Sequence, residues 1–327
     1  MRIIKSLVSA GAIVLALTLP AAAQTELKIG WTTSDGETDP YAIAAREFIS
    51  ALEKNAPGQF TGAYFPNRQL GDEREMLEGL GFGTLDVAVI TNAVIANIEP
   101  AFQLNDMPFL YGNEAQAHEV LDGEIGQELL GRLDDNGIVG LAFAEGGFRH
   151  MINNVRPVTT PADVGGVKYR VMQNPVFVGM FQSLGGNAVP MAWGEVYTAV
   201  QQGTIDGLEI PIAVIKSNNY AEVAKYLSLT RHTYSALGIL ISKRTFDRLS
   251  PELQEAVRIS AKEAVVAQRA AVASNNENIV ASLRADGMEV NDVADPAEFR
   301  SLVKPVYEQF RDSIGGDLLD AALAQVK

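Results

Sequence analysis

The segment 166–211 reads GVKYRVMQNPVFVGMFQSLGGNAVPMAWGEVYTAVQQGTIDGLEIP, and this stretch decides the fold. Its glycine-punctuated pattern predicts a strand over 167–171, a helix over 176–184 and a second helix over 194–202. Arg170 stands near the end of the strand. Because α/β proteins bind ligands beyond the carboxyl ends of their strands, its guanidinium would reach the ligand-binding edge of a sheet. The planar donors of that group match a carboxylate.

The same alternation of strand and helix signals extends along the rest of the chain. Further strands are predicted over Leu27–Trp31, Gly62–Phe65, Leu85–Ile90, Ile138–Phe143 and Ile239–Ser242, and further helices over Tyr41–Lys54 and Arg74–Leu80. This alternation predicts an α/β fold with a mostly parallel sheet covered by helices. About 300 mature residues exceed what one hydrophobic core usually serves. We therefore expect lobe I over 24–147 and 236–275 and lobe II over 148–235 and 276–327, with a hinge where the chain crosses between them.

The longest helical pattern runs from Pro251 to about Asp286. Ser250 and Pro251 suit the start of a helix, and Gly287 suits its end. At 1.5 Å per residue such a helix would span roughly 50 Å, which is longer than one lobe. The alternative is two shorter helices that are interrupted near 274–276.

Residues 1–23 have the pattern of a cleavable secretory signal peptide. Arg2 and Lys5 precede the apolar run Leu7–Leu19, and Ala21–Ala23 supply the small residues of a cleavage site. The run is shorter than the roughly 20 residues of a membrane span, although an N-terminal anchor is the alternative. No later segment is long and apolar enough to span a bilayer. We therefore expect no direct membrane insertion of the mature chain.

The composition excludes several classes of partner and cofactor. The formal charge is −14, or −16 once the two cations Arg2 and Lys5 are removed, and the chain has no cysteine. Nucleic acids and anionic lipids need clustered cations, so neither is an expected partner. The three histidines are far apart, and no metal-binding or dinucleotide-binding spacing is present. We expect no metal, no cofactor, no enzymatic activity and a monomer.

Three motifs in the segment 166–211 resemble those of the solute-binding subunits of TRAP (tripartite ATP-independent periplasmic) transporters. That family shows G-x-K-x-R, G-A-x-P and E-x-Y-x-A-x-Q-x-G-x-x-D-G-x-E in this order, and the corresponding stretches here are 166–170, 185–190 and 195–209. The resemblance implies a two-lobed, periplasmic-binding-protein-like fold with mixed sheets flanked by helices and a long helix spanning both lobes. It also implies a protein in the periplasm of a Gram-negative bacterium that delivers a small organic anion to TRAP membrane permease subunits.

The resemblance also implies roles for individual residues of the second lobe. Arg170 matches the arginine that clamps the substrate carboxylate, and Arg149 stands where the family often has a second arginine. Trp193 stands where relatives carry an aromatic residue over the ligand, and Glu209 matches the glutamate of D-G-x-E. The alternatives are structural ion pairs for the two arginines and plain core packing for the tryptophan.

In the first lobe, the stretch 69–74 resembles the Q-L-G element of the family. Glu73 aligns with an acidic residue that accepts ligand hydroxyls in relatives; interaction with the helix dipole is the alternative. Thr32, Asn92 and Gln173 lie at predicted strand ends or just beyond Arg170 and could bond hydroxyls. For these three residues the alternative is ordinary turn formation.

Several polar side chains beside a carboxylate clamp favour a hydroxylated acid, such as a uronate or an aldonate. Ile210 stands where sialic-acid-binding relatives have an asparagine that touches substrate, which disfavours sialic acid. A keto acid, dicarboxylate, sulfonate or ectoine-like solute remains the alternative ligand. A ligand-sensing domain for a signalling kinase and a two-lobed enzyme are the alternative functions.

Overall fold

The computed structural model describes residues 24–326, which form three layers with one sheet between two layers of helices. The signal peptide expected over 1–23 lies outside the described residues. The α/β class, the mixed sheet flanked by helices and the long helix are confirmed. Within the described range, no helix combines the length and apolar character needed to cross a membrane.

Strands and helices alternate along most of the chain. The strands are β1 (Thr25–Gly30), β2 (Phe60–Phe65), β3 (Val87–Thr91), β4 (Ile138–Asn153), β5 (Lys168–Val171), β6 (Asn187–Pro190), β7 (Gly207–Pro211), β8 (Tyr226–Ser242) and β9 (Glu289–Asp292). The helices are α1 (Pro40–Asn55), α2 (Glu73–Phe82), α3 (Asn92–Ile95), α4 (Glu114–Asp122), α5 (Glu124–Gly131), α6 (Pro175–Ser183), α7 (Trp193–Gln201), α8 (Ile212–Ser217), α9 (Lys243–Phe246), α10 (Pro251–Ala285), α11 (Pro296–Ile314) and α12 (Gly316–Gln325). Short 3₁₀ helices cover Pro100–Asp106, Arg132–Asn136, Pro161–Val164 and Tyr220–Glu222.

Two long antiparallel strands, β4 and β8, hold the sheet together. The strand order is β2-β1-β3-β8-β4-β7-β5-β6, and β9 pairs with β8. The sequence predicted strands only over Ile138–Phe143 and Ile239–Ser242, which are parts of these 16- and 17-residue strands. Burial on both faces explains the error, because a long run of buried residues lacks the alternation that marks a strand. Among residues 24–326, five of the eight strand pairs are parallel, as the prediction of a mostly parallel sheet requires, and the three antiparallel pairs all involve β4 or β8.

The strand directions bring two sets of carboxyl ends face to face. β1 is parallel to β3, and β5 is parallel to β7, but the antiparallel pairs between them reverse the second set. β3 ends at Thr91, opposite Leu237 of β8. β7 ends at Pro211, opposite Arg149 of β4, which itself faces Thr233 of β8. Along β8, the two sets of ends are therefore four positions apart, a distance of about 13 Å in an extended chain. We call this space the gap.

Two hydrophobic cores lie on opposite faces of the sheet. In β3, Ala88 and Ile90 belong to one core, whereas Val87 and Val89 belong to the other. The first core packs against α2 to α6, α11 and α12, and the second packs against α1, α7, α8 and α10. Both cores continue through the central pair β4 and β8. The boundaries of the two lobes, at 147/148 and 235/236, stay a prediction.

The long helix α10 is continuous over 35 residues, so the alternative of two shorter helices was wrong. The Ser250 hydroxyl accepts the N–H of Leu253 at 3.4 Å, and Pro251 occupies the first turn. After the helix, Gly287 adopts a φ of +101°, a value that glycine tolerates. The helix packs against α1, near one side of the gap, and against α8, near the other.

Gly207 at the start of β7 allows β7 to approach β4 closely. A Cβ atom at this position would lie 2.0 Å from the carbonyl oxygen of Ile152 and 2.6 Å from the Asn153 Cβ. We expect Gly207→Ala to lower the free energy of unfolding by about 1–3 kcal/mol, because the backbone of one strand must move. Urea unfolding followed by circular dichroism measures this change.

Gly131→Ala is the matched control, because its added Cβ meets no atom within 4 Å and its φ is −65°. This variant should keep or slightly raise the free energy of unfolding. Equal stability of the two alanine variants would contradict the close approach of β4 and β7.

Candidate functional site

A cavity of about 190 Å³ opens at the gap, and a smaller one of about 30 Å³ adjoins it. The two cavities share Glu73, Arg170, Met172 and Trp193 as wall residues. The shared walls come from the start of α2, from the end of β5 and the residue after it, and from the start of α7. We treat the two spaces as one site and call it the gap cavity.

Arg170 is a buried cation without a counterion among residues 24–326. Its exposed fraction is 5%, and burial lowers the pKa of its guanidinium from the ordinary value. Nε and Nη2 both donate to the carbonyl oxygen of Met191, at 2.9 and 2.7 Å. These bonds fix the plane of the guanidinium and leave Nη1 and one Nη2 hydrogen without a partner in the described chain. Arg170 lines both parts of the gap cavity.

Arg149 is a second buried arginine, but it is already paired. Its Nε and Nη2 both donate to the Glu209 carboxylate, the latter at 2.8 Å, and Nη2 also donates to the Glu209 carbonyl oxygen at 2.7 Å. Nη1 donates to the Ser235 hydroxyl at 3.3 Å. Burial alone would lower the pKa of Arg149, but Glu209 raises it above its ordinary value. Arg149 therefore presents a hydrogen-bond donor to the smaller cavity while its charge is compensated.

His232 completes this buried group from strand β8. Its Nε2 lies 3.3 Å from the Glu209 carboxylate, and its Nδ1 lies 2.7 Å from the Thr230 hydroxyl. Burial lowers the pKa of His232, so the ring is neutral at pH 7. Burial alone would raise the pKa of Glu209, but Arg149 and His232 hold it below its ordinary value. The structure places His232 behind Glu209, and it is not among the wall residues of the gap cavity.

Glu73 lies opposite the arginines at the first turn of α2. Its exposed fraction is 8%, and one carboxylate oxygen accepts the N–H of Thr91 at 2.8 Å. Burial raises the pKa of Glu73 to about 7, although the Thr91 N–H and the charge of Arg170 act to lower it. The carboxyl group is thus poised to gain or lose a proton near neutral pH.

An apolar wall covers the remaining side of the gap cavity. Trp193 lines both parts, and its ring packs on Tyr220 with centroids 5.5 Å apart. Ile210 and Val214 line the smaller part, so the isoleucine at position 210 does lie in the wall. Apolar walls with a few convergent polar groups are typical of small-molecule sites.

The structure does not bring every predicted residue to the cavity. Thr32 lines the smaller part, and the exposed Gln173 lines the larger part. Asn92 points elsewhere: its amide donates to the carbonyl of Phe102 and accepts from Asn105. Both ends of the Asn92 amide are therefore hydrogen-bonded inside the protein. The prediction failed because a position at a strand end does not fix the direction of the side chain.

Other wall residues carried no signal in sequence reasoning. They are Thr33, Tyr41, Asp72, Arg74, Glu75, Val94, Met172, Met191, Ala192, Pro211, Val214 and Ser235. Asp72 and Met172 are direct neighbours of predicted residues and could have been found by that proximity. Ser235 could not, because only the register of β8 against β4 places it between the two sets of strand ends.

Hydrogen bonds cross the gap on both sides of the cavity. The Ser217 hydroxyl at the end of α8 donates to the buried carboxylate of Asp39 at 2.7 Å. On the other side, the Asn174 amide donates to the Asp106 carboxylate at 2.9 Å. These contacts hold the two sides together, as in the closed state of a hinged binding protein.

No group of three or more histidine, cysteine, aspartate or glutamate side chains within residues 24–326 is arranged to hold a metal ion. The polar groups of the gap cavity are instead three guanidinium groups, three carboxyl groups, the amide of Gln173 and several hydroxyls. Such a set can bind an organic anion that also carries hydrogen-bond donors.

Residues 32–313 match the model of the DctP family, described as bacterial extracellular solute-binding protein, family 7. The chain belongs to this family. It is a TRAP periplasmic solute-binding protein, as the motifs of 166–211 predicted. The family model covers all the residues that form the gap cavity.

Known relatives resemble the chain over almost its whole length. The 2,3-diketo-L-gulonate-binding periplasmic protein YiaO of Escherichia coli (strain K12) is 38% identical over 302 residues, covering 91% of this chain and 92% of YiaO. A TRAP periplasmic solute-binding protein from Polaromonas sp. JS666, bound to D-erythronate, has a TM-score of 0.89 at 38% identity and covers 92% and 99% of the two chains. The sugar acid binding protein DctPAm from Advenella mimigardefordensis, in complex with galactonate, has a TM-score of 0.89 at 31% identity and covers 93% and 98%.

The raised pKa of Glu73 predicts that this residue destabilises the ligand-free protein at alkaline pH. The unfolded chain loses the proton near pH 4.5 and the folded chain near pH 7, so stability falls as the pH rises between these values. Glu73→Gln should therefore raise the free energy of unfolding by about 3 kcal/mol at pH 8 and by almost nothing at pH 4.5. Urea titrations at the two pH values measure the difference.

The exposed Glu78, one turn further along α2, provides the control. Glu78→Gln removes the same charge from the same helix but should change stability little at either pH. A gain for Glu73→Gln that is equal at pH 4.5 and pH 8 would contradict a proton held by Glu73.

Proposed function

We propose that this TRAP solute-binding protein captures a sugar acid, such as an aldonate or a uronate, in the gap cavity. It then delivers the ligand to the membrane-embedded permease subunits of its transporter. Arg170 binds the carboxylate of the ligand, and Arg149 donates a further hydrogen bond to it. Glu73, Thr32 and Gln173 bond the hydroxyls, while Trp193 covers the carbon chain.

The uncompensated charge of Arg170 is the observation that carries this proposal. Arg149 has Glu209 as its partner, whereas Arg170 has no ion-pair partner within the described residues. Removing a cation from water without a counterion costs several kcal/mol, and an incoming carboxylate would offset this cost. The free hydrogens on Nη1 and Nη2 of Arg170 give that carboxylate a place to bind.

The remaining polar groups of the cavity favour hydroxyls along the ligand. Thr32 and Thr33 line one side, and Glu73 lies on the same side with one oxygen free of protein hydrogen bonds. A volume of about 190 Å³ is below the usual range for drug-sized ligands, which suits a short acid. The relative YiaO of E. coli binds 2,3-diketo-L-gulonate, and the relative DctPAm of Advenella binds galactonate, which supports the same ligand class for this chain.

Glu209 has a different role from the one the sequence suggested. Its exposed fraction is 0%, and its carboxylate is occupied by Arg149 and His232. We propose that Glu209 orients Arg149 and does not touch the ligand. The same reasoning leaves Asn92 out of the ligand-binding set, because both ends of its amide are bonded inside the protein.

We further propose that the protein is a monomer of the Gram-negative periplasm without enzymatic activity, exported by the signal peptide expected over 1–23. The membership of a periplasmic solute-binding family supports this location and the role in transport. The net charge of −14 gives no general attraction for anions, so the local arginines must recruit the ligand.

A thermal-shift screen tests the ligand class. The panel contains aldonates and uronates of four to six carbons, together with keto acids, dicarboxylates, sulfonates and ectoine. The proposal expects the largest rise in melting temperature from a sugar acid, because a ligand that binds only the folded state stabilises it. A larger rise with a keto acid, dicarboxylate, sulfonate or ectoine would overturn the assignment of the ligand class.

Replacing Arg170 tests the carboxylate clamp. Arg170→Ala should weaken binding of the best sugar acid by about 3–5 kcal/mol, since a buried carboxylate then lacks its partner. This loss corresponds to roughly two to three decades in affinity, which isothermal titration calorimetry can measure.

Lys168→Ala is the control, because Lys168 lies on the same strand but its ammonium group bonds to the carbonyl of Thr204 at 3.1 Å, at the protein surface. This variant should bind as tightly as the wild type. Near-native affinity of Arg170→Ala would remove Arg170 from the clamp.

A further inference from the structure

Three carboxyl groups, those of Asp72, Glu73 and Glu75, line the gap cavity at the start of α2. Glu73 lines both parts of the cavity, and its neighbour Asp72 lines the larger part. Neither forms a close ion pair in the described chain: the nearest cation to Asp72 is Arg68, at 3.8 Å, and Glu73 accepts only the N–H of Thr91. One oxygen of Asp72, Oδ1, is buried without any hydrogen-bond partner among the described residues.

The wall offers one buried guanidinium to a ligand carboxylate. Among the described wall residues, Arg170 is buried without an ion-pair partner, because Arg149 is bonded to Glu209. Glu73 and Asp72 act on Arg170 only through space. The carboxylate of a ligand would take up the charge of Arg170. Any second carboxylate would then lie in a small cavity that Glu73 and Asp72 line. The other cations of the described wall are Arg149, which is paired with Glu209, and Arg74, whose exposed guanidinium lies 3.4 Å from the Glu78 carboxylate.

We infer that Glu73, together with Asp72, sets the charge specificity of the site, so that the protein binds singly charged acids and rejects diacids of equal length. The inference rests on the proposed function, because it assumes that Arg170 binds the ligand carboxylate. Two like charges about 6 Å apart, at an effective dielectric constant near 20, weaken binding roughly 100-fold. Hydroxyl groups in the same position would instead donate to the two carboxylates.

The diacid can avoid this repulsion if Glu73 takes up a proton. The groups that face Glu73 are Asp72 beside it, Arg170 from β5, Arg149 from β4 and Tyr41 from α1, and burial raises its pKa to about 7. Binding of a diacid raises this pKa further, so the diacid should bind more tightly as the pH falls. Between pH 8 and pH 6 the protonated fraction of Glu73 rises about tenfold, and the affinity for a diacid should rise by the same factor.

The test compares D-galactonate and D-galacturonate with galactarate, which has the same six carbons and a carboxylate at each end. Calorimetric titrations are made with the full mature chain at pH 8 and pH 6. We expect wild-type protein at pH 8 to bind galactarate at least 30-fold more weakly than the better monoacid, and this ratio to shrink about tenfold at pH 6.

Variants identify the residues responsible for the rejection. In the Glu73→Gln variant, the affinities for galactarate at pH 8 and at pH 6 should differ by no more than about threefold. The variant should thus lose most of the pH dependence of galactarate binding. Asp72→Asn should improve galactarate binding by a smaller factor, because Asp72 is less buried than Glu73. Glu53→Gln, which removes an exposed charge from α1 and does not touch the cavity wall, should leave the ratio of diacid to monoacid affinity unchanged.

The outcomes separate this inference from the proposed function. Equal affinity for galactarate and the monoacids at pH 8 would overturn the inference while the sugar-acid function stood. The same conclusion would follow from a diacid-to-monoacid ratio that is independent of pH in the wild type, a measurement that needs no variant. If none of the three acids binds, the proposed function fails, and the inference fails with it.

Discussion

The pairing of β4 with β8 is the constraint on which the rest of the structure depends. These strands run through the whole sheet, and β3 joins one end of the pair while β7 joins the other. The antiparallel pairing reverses the direction of the second set of strands, so the carboxyl ends of β3 and β7, which would otherwise point the same way, face each other. The site is a product of this reversal: Arg149 and Ser235 come from the paired strands, and Arg170 comes from β5.

The two buried arginines are both held in a fixed orientation, but only one of them has its charge compensated by the protein. Arg149 is held by a carboxylate, which fixes its orientation but cancels its charge. Arg170 is held by the neutral carbonyl of Met191, which fixes its plane and leaves its charge for the ligand. A neutral acceptor orients a guanidinium without competing for it electrostatically. Burying Arg170 without a counterion therefore lowers the stability of the ligand-free protein, and this charge is available to a ligand carboxylate.

The sequence predicted the parts of the site that follow local rules. Arg170 at a strand end and Glu73 at a helix start are set by short patterns, and both line the cavity. The contact between Arg149 and Glu209 joins residues 60 positions apart, and it follows from the register of β4 with β7, which no local pattern contains. Asn92 also lies at a strand end, yet its side chain turns towards Phe102. Backbone position was predictable there, but side-chain direction depended on tertiary packing.

The unbroken helix α10 limits how the two sides of the gap can separate. Because it packs against α1 on one side and α8 on the other, opening must bend its axis or slide its apolar face over one of them. Bending lengthens the hydrogen bonds on the convex side, so a curved helix resists deformation elastically. The bending stiffness of α10 would then oppose the separation of the two sides, and it would help to set how far the gap opens in the ligand-free protein.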